Sequence, residues 1–244
     1  MANALSRFLC ALLVCVVSSG VRAQVTKAQW AADLDTLADG LLQRHPNFYT
    51  KVSVEDFEDA LFAFHDRLDT LDDQLIVMEA CRLVALGGDA HTTIGFGEIG
   101  RSMRRLPIRI MVMEDGTFVT FATREHQELI GSRVVSINGI AIEEVLERVS
   151  ALFAYENDSK RKGTSAWYAT LLPALRTVGV IDDHHAASLP VTLEQDEETS
   201  EHTLPCVPES HLRGWVSFVQ LLKQPWPIAY RKQGGYYQSD FIAE

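Results

Sequence analysis

The sequence predicts an α+β fold, with helices gathered at its start and strands after them. Three observations carry this. Apolar residues recur at helical spacing from about residue 26 to residue 86. The paired glycines Gly87 and Gly88 then stop the pattern. From Leu106 the chain turns to short β-rich runs folded around Glu114-Asp115-Gly116 and Asn138-Gly139. A length of 244 residues suffices for one large domain or two small ones.

The first helix is expected over 26–44, where Trp30, Leu34, Leu37, Leu41 and Leu42 form an apolar stripe. His45-Pro46-Asn47 ends it, because the residue before a proline is pushed out of helical geometry. Ser53-Val54-Glu55-Asp56 resembles a capping box, and Phe57, Leu61, Phe64 and Leu68 make the next stripe. A third helix is expected from about Asp72 to Leu86, so that three antiparallel helices form a small helical unit.

The strands follow. "LPIRIMVMEDGTFVTFA" reads as a hairpin, and "SRVVSINGIAI" repeats the device on Asn138-Gly139. Helical spacing returns at Ile142, with Val145, Leu146, Val149, Leu152 and Phe153 on one face. Another helix is expected over about Thr164 to Val178, with Pro173 as its kink or break. "LPVTLEQDEETSEHTLPCV" reads as a hairpin with a charged, solvated tip. Its acidic run, Glu194 to Glu201, lacks the interleaved Asp/Asn-Gly pattern of a calcium loop. "WPIAYRKQGGYYQSDFIAE" begins like a strand pair and stops at Glu244 on what reads as a strand end. Trp215, Phe218, Trp226, Tyr230, Tyr236 and Tyr237 crowd this region, as a core or interdomain face would.

Residues 1–23 read as a signal peptide, with Arg7 in a short basic start and an apolar core from Phe8 to Val17. Cleavage is expected before Gln24. The apolar core is too short for a spanning helix, and Leu and Val before Cys10 and Cys15 argue against a lipid anchor. An exported protein, periplasmic or extracellular, is the expectation. Its 33 acidic residues against 22 lysines and arginines exclude a nucleic-acid footprint and argue against an anionic membrane surface. Cys81 and Cys206 remain after cleavage. An oxidising compartment permits a bridge, while the place of Cys81 on an apolar helix face favours a small buried hydrophobe.

"RHPNFY", "LVALGGDAHTTI" and "DGTFVT…ELIGSRVVSINGIAIEEVLERVSALFAYEN" occur in one order at matching spacing. Together they resemble the N-terminal half of the C-terminal processing (tail-specific) serine peptidases. The nearer likeness is to the branch of the tricorn core protease and interphotoreceptor retinoid-binding protein. It covers roughly Trp30 to Asn157. The resemblance implies a helical unit over 24–100, a PDZ-like module with inserted helices over 101–205, and from 206 the truncated start of an α/β catalytic core. Within the module, "LIGSRVVSINGIAIEEVL" is similar to the end of a PDZ-like domain, which adds an extended peptide to a sheet edge and catches its carboxylate on backbone N–H groups. Leu106-Pro107-Ile108-Arg109-Ile110 stands where the carboxylate-binding loop would precede a strand, without that loop's glycine pattern. Plain packed strands are the other reading of this stretch.

His91, in "DAHT", is similar to a histidine that acts in that branch as general base for a core serine. Many family members use a serine–lysine dyad instead, and His91 is then a structural residue at a glycine-rich turn. The family's glycine-rich "DLRxNxGG"-like strand end and later core lysine have no counterpart here, and there is no G-x-S-x-G elbow. Ser165 and Ser136 are the least implausible nucleophiles; one opens a helical pattern and the other sits in a β-run, so both read as structural. The resemblance therefore implies a serine-peptidase-like chain inactive by itself, acting on peptides or protein C-termini. A non-catalytic exported module that binds peptides or proteins is the alternative. A retinoid- or lipid-carrying role, known for a relative, has no specific residue in its favour. No cofactor is implied. "IDDHH" (Ile181 to His185) gathers two carboxylates and two imidazoles that could hold a divalent metal, but adjacent loop side chains seldom converge on one ion. No metal ligand is assigned from the sequence.

Overall fold

The structure, a computed structural model, describes residues 25–221. The leader read in residues 1–23, and the strand pair with Trp226, Tyr230, Tyr236 and Tyr237, lie outside the described residues. Helices and antiparallel strands make up the described chain, which is of the α+β class.

Helix α1 (Lys27–Arg44) starts at a reciprocal cap: Thr26 Oγ1 accepts from the Gln29 amide, and Gln29 Oε1 accepts from the Thr26 amide. It ends at His45, whose backbone is extended ahead of Pro46. Leu34 and Leu41 turn inward, whereas Leu42 is 57% exposed. One residue past Leu41, it is rotated about 100° away from the buried stripe. Helix α2 (Val54–Arg67) is capped by Ser53, whose hydroxyl accepts from the Asp56 amide at 3.0 Å. It buries Phe57 and Phe64, with Leu68 just beyond its end.

Helix α3 (Asp73–Ala85) is the shared element. Nine of its 13 residues are buried, too many for one face. Ile76, Ala80, Leu83 and Val84 pack on α1 and α2, while Val77, Met78 and Cys81 turn into a second and larger core. The helical unit and the β-rich part are thus joined through a common helix rather than by a linker.

Strands β1 (Arg104–Arg105), β2 (Ile108–Val112), β3 (Thr117–Thr123), β4 (Arg133–Ile137), β5 (Ile140–Ala141), β6 (Ser188–Gln195), β7 (Glu198–Pro205), β8 (Val207–Pro208) and β9 (Trp215–Ser217) pair antiparallel throughout. The main sheet runs β2-β3-β4-β6-β7, with β5 beside β4 and β9 beside β3; β1 and β8 form a separate pair. Asn138 (φ 52°) and Gly139 (φ 74°) turn β4 into β5, a left-handed pair of the kind a two-residue hairpin needs. Asp196 and Glu197 take the same conformation at the solvated tip between β6 and β7. Because β8 pairs with β1 and β9 with β3, the chain past residue 206 is still engaged with the strands before it.

Short helix α4 (Gly97–Ser102) precedes β1, and α5 (Ile142–Val149) follows β5. The helical stretch expected over Thr164 to Val178 breaks just before Pro173 into two helices. The first, α6 (Asp158–Tyr168), begins earlier on an Asn157 cap. The second, α7 (Leu172–Thr177), carries Pro173 in its first turn, where the missing N–H is no loss. The larger core lies between these helices, α3 and one face of the sheet, with Ile108, Val119, Ile137 and Val191 meeting Val145, Val149, Leu172 and Leu175. Cys81 and Cys206 are both free and buried in it, and burial pushes both thiols up to about 12. The last described element is α8 (Phe218–Leu221).

Candidate functional site

Past α3 the chain turns sharply. Gly88 takes φ +70°, and the Asp89 side chain then folds back on its own backbone: Oδ1 accepts from the His91 amide at 2.9 Å and Oδ2 from the Thr92 hydroxyl at 2.8 Å. His45, from the end of α1, closes the corner from the other side. Its Nδ1 accepts from the Asn47 amide, so the proton sits on Nε2, which lies 3.0 Å from Asp89 Oδ2 and 2.9 Å from Thr92 Oγ1. The His45 ring stands edge-on to Phe48 at 5.6 Å.

This network divides the labour between two histidines. His45 is bound into the structure; in the sequence it stands at a helix end and within "RHPNFY", with no role assigned to it. His91 has its backbone pinned by Asp89, while its imidazole is exposed and makes no hydrogen bond or ion pair with another described residue. A free imidazole on a fixed backbone can accept a proton from a group brought to it. The corner does not lead into a strand; residues 92–96 run irregularly to α4. Beneath it is a hollow of about 20 Å³ lined by Cys81, Thr92, Phe153 and Tyr168, room for about one water. A peptide needs other surfaces to reach His91.

The bonds to His91 N–H, Thr92 and His45 hold the Asp89 carboxyl down to about 2. A depressed carboxylate pKa contributes stability above its unfolded value, near 3.9, and that contribution disappears as pH falls through the folded value. Its contribution should therefore decline below about pH 4, and the corner itself should open around pH 2. The His91 amide shift, followed by NMR, should titrate with that low midpoint. In Asp89→Ala the shift should already be that of an open corner at neutral pH.

Neither candidate serine meets His91. Ser136 Oγ donates across the sheet to Thr192 Oγ1 at 2.8 Å. Ser165 lies on the inner face of α6 at 1% exposure, its hydroxyl without a partner among the described residues. An attacking serine needs a base in contact, and among the described residues no histidine hydrogen-bonds either hydroxyl.

The "IDDHH" stretch is rearranged by the fold. Asp183 Oδ1 accepts from the His185 amide at 2.8 Å, and this turn swings both imidazoles the same way. Their centroids are 4.0 Å apart. Both Nε2 atoms converge on Asp72 Oδ2, His184 at 2.6 Å and His185 at 3.3 Å. Asp72 is also the cap of α3, its Oδ1 accepting from the Gln74 and Leu75 amides. Burial raises its pKa, but the Leu75 N–H, His184 and the Gln74 N–H outweigh that and leave it below the ordinary value. Asp182 and Asp183 are not in the cluster; the carboxylate comes from 112 residues away. Sequence spacing holds no signal for such a partner.

A second hollow, of about 240 Å³, opens at the end of the sheet. Arg124, His126, His211 and Arg213 line it together with Pro107 and the start of the turn after β3. Among the described residues, Glu125 is its one carboxylate, and the Thr123 hydroxyl, on a residue 8% exposed, has no partner. The larger hollow near Asp115, about 580 Å³, differs: its Arg133 is engaged by Glu194 at 3.2 Å, and Asp115 and Asp196 add two more carboxylates to its lining. A scan against protein-family models finds no match for the chain, and a search of curated proteins returns no similar protein.

Proposed function

We propose that this chain corresponds to the helical and PDZ-like parts of a tail-specific serine-peptidase-like protein, with His91 as its general base. The observation that carries the reading is the division at the Asp89 corner: His45 is bound into the structure, and His91 is held in place with a free ring. In that role the neutral imidazole takes the proton of a serine hydroxyl as it attacks a peptide carbonyl, and returns it to the leaving amine. The serine is not among residues 25–221 in contact with His91, so those residues alone supply no hydrolysis. The leader-like residues 1–23 support a periplasmic or extracellular place for this chemistry.

Two measurements test this. A fluorophosphonate should leave Ser136 and Ser165 unlabelled, and labelling that vanishes in Ser136→Ala or Ser165→Ala overturns the reading. His91→Ala should change unfolding free energy by no more than about 0.5 kcal/mol, as an exposed unpartnered side chain does. His45→Ala, which removes a half-buried ring that bonds Asp89 and stands edge-on to Phe48, should destabilise measurably more than His91→Ala. A His91 variant as damaging as the His45 variant makes His91 structural.

The alternative, a non-catalytic module that binds peptides, is favoured by the hollow at the sheet end. Two arginines and two histidines against one carboxylate, with an unpartnered hydroxyl, suit an anion, and Pro107 places it beside the stretch that precedes β2. A peptide's terminal carboxylate is the anion this position suggests, bound by side chains in place of the glycine-borne amides the sequence lacks. Both readings share that ligand.

A further inference from the structure

The Asp72–His184–His185 cluster has a use apart from either reading. Two imidazoles and one carboxylate, drawn from segments 112 residues apart, present three ligand atoms within 4.8 Å of one another. A tetrahedral zinc with ligands at about 2.0–2.2 Å sets its donors about 3.3–3.5 Å apart. Asp72 Oδ2 and His185 Nε2 already stand 3.3 Å apart, and His184 Nε2, at 2.6 Å, reaches that spacing by a small tilt of its ring.

The surroundings fix the ligands as a metal site requires. Asp72 Oδ1 is committed to the Gln74 and Leu75 amides, which aims Oδ2 at the imidazoles. The Asp183 turn holds the backbone of His185. Asp73, the neighbouring acid, is occupied by the Trp30 indole N–H at 2.7 Å and does not compete. His184 is buried, whereas the His185 side chain is 59% exposed, so an ion here would face solvent on one side. Imidazole with a single carboxylate suits zinc, nickel or copper(II), not the all-oxygen sets of magnesium and calcium.

We propose that Asp72, His184 and His185 bind one divalent transition-metal ion of the zinc class, with water in a fourth position. The ion fastens the loop before β6 to the start of α3, the helix both cores share. Binding displaces any imidazolium protons to solvent and changes no oxidation state.

The test is calorimetric titration of the purified chain with Zn²⁺ at neutral pH in chelator-free buffer, with Co²⁺ absorption as the geometric readout. The expected result is one ion per chain, the intense visible bands of four-coordinate Co²⁺, and a higher Tm when Zn²⁺ is present. His185→Ala removes an exposed ligand, and Asp72→Asn removes the anionic ligand while keeping a good helix cap. Each should weaken binding by about 100-fold or more, beyond what loss of a mere orienting partner costs. His202→Ala, on β7 and outside the cluster, should bind as the parent does. No saturable binding, or equal affinity in parent, His185→Ala and Asp72→Asn, overturns the proposal.

Discussion

Arg105→Ala should destabilise the fold by about 3–5 kcal/mol, the range seen when one partner of a buried ion pair is removed. Arg105 is 1% exposed, between β1 and the helices. Its Nη1 donates to Glu209 Oε2 at 2.7 Å, and its Nη2 to the Trp167 carbonyl at 3.1 Å and Thr170 Oγ1 at 3.0 Å. The guanidinium also lies over the Trp167 ring, 4.8 Å from its centroid. One side chain thereby ties the end of α6 to the turn after β8. Truncation takes a donor from each of three acceptors, of which the Trp167 carbonyl keeps the Thr170 hydroxyl, and leaves a void the size of an arginine. Glu209 is 38% exposed and can regain water, which favours the lower end of the range. Arg105→Met, which refills the void, should recover part of the loss. Urea unfolding followed by tryptophan fluorescence reads the difference; a loss under 1 kcal/mol for Arg105→Ala would contradict this account of the buried pair.

Gly87→Ala should cost about 1–3 kcal/mol through overpacking. A Cβ at this position meets Phe48 Cε2 at 2.4 Å and Cδ2 at 2.5 Å. The ring has nowhere to retreat: it is 1% exposed and held edge-on by His45, Tyr49 and Phe57. Movement of Phe48 also disturbs His45, so the His91 amide resonance should shift with the loss of stability. Gly40, in the middle of α1, supplies the contrast. A Cβ there touches nothing within 4 Å, and Gly40→Ala should stabilise by about 0.5–1 kcal/mol. Equal effects at the two glycines would remove steric contact as the cause.

These two sites mark what was legible in the sequence and what was not. Features set by neighbours in the chain were readable. Ser53 and Asp72 announce their helices, Asn138-Gly139 announces its turn, and Gly87-Gly88 marks the end of α3. The start of α6 was hidden because "DSKRKG" has no apolar stripe; its helix is set by the Asn157 cap and by later burial of Ser165, Ala166 and Tyr168. Leu42 was misplaced because an apolar residue beside the stripe looks like part of it. The burial of Arg105 depends on Glu209, Trp167 and Thr170, and no local pattern marks an arginine as interior.

The candidate site follows the same division. Asp89, His91 and Thr92 lie within four residues, and their mutual bonds could be anticipated from "DAHT". That His45 completes the corner could not, since it arrives from 44 residues away. Nothing inside "IDDHH" names the carboxylate that its imidazoles meet. The two imidazoles do converge, but on Asp72 rather than on Asp182 or Asp183.

Recognition of peptide C-termini is the claim common to both functional readings. The most direct test is titration of the chain with two peptides of one sequence, one ending in a free carboxylate and the other in an amide. The account predicts saturable binding of the free acid, about tenfold or more weaker binding of the amide, and loss of that preference in Arg124→Ala or Arg213→Ala. A flat titration with both peptides, or equal affinity for the two, would contradict it.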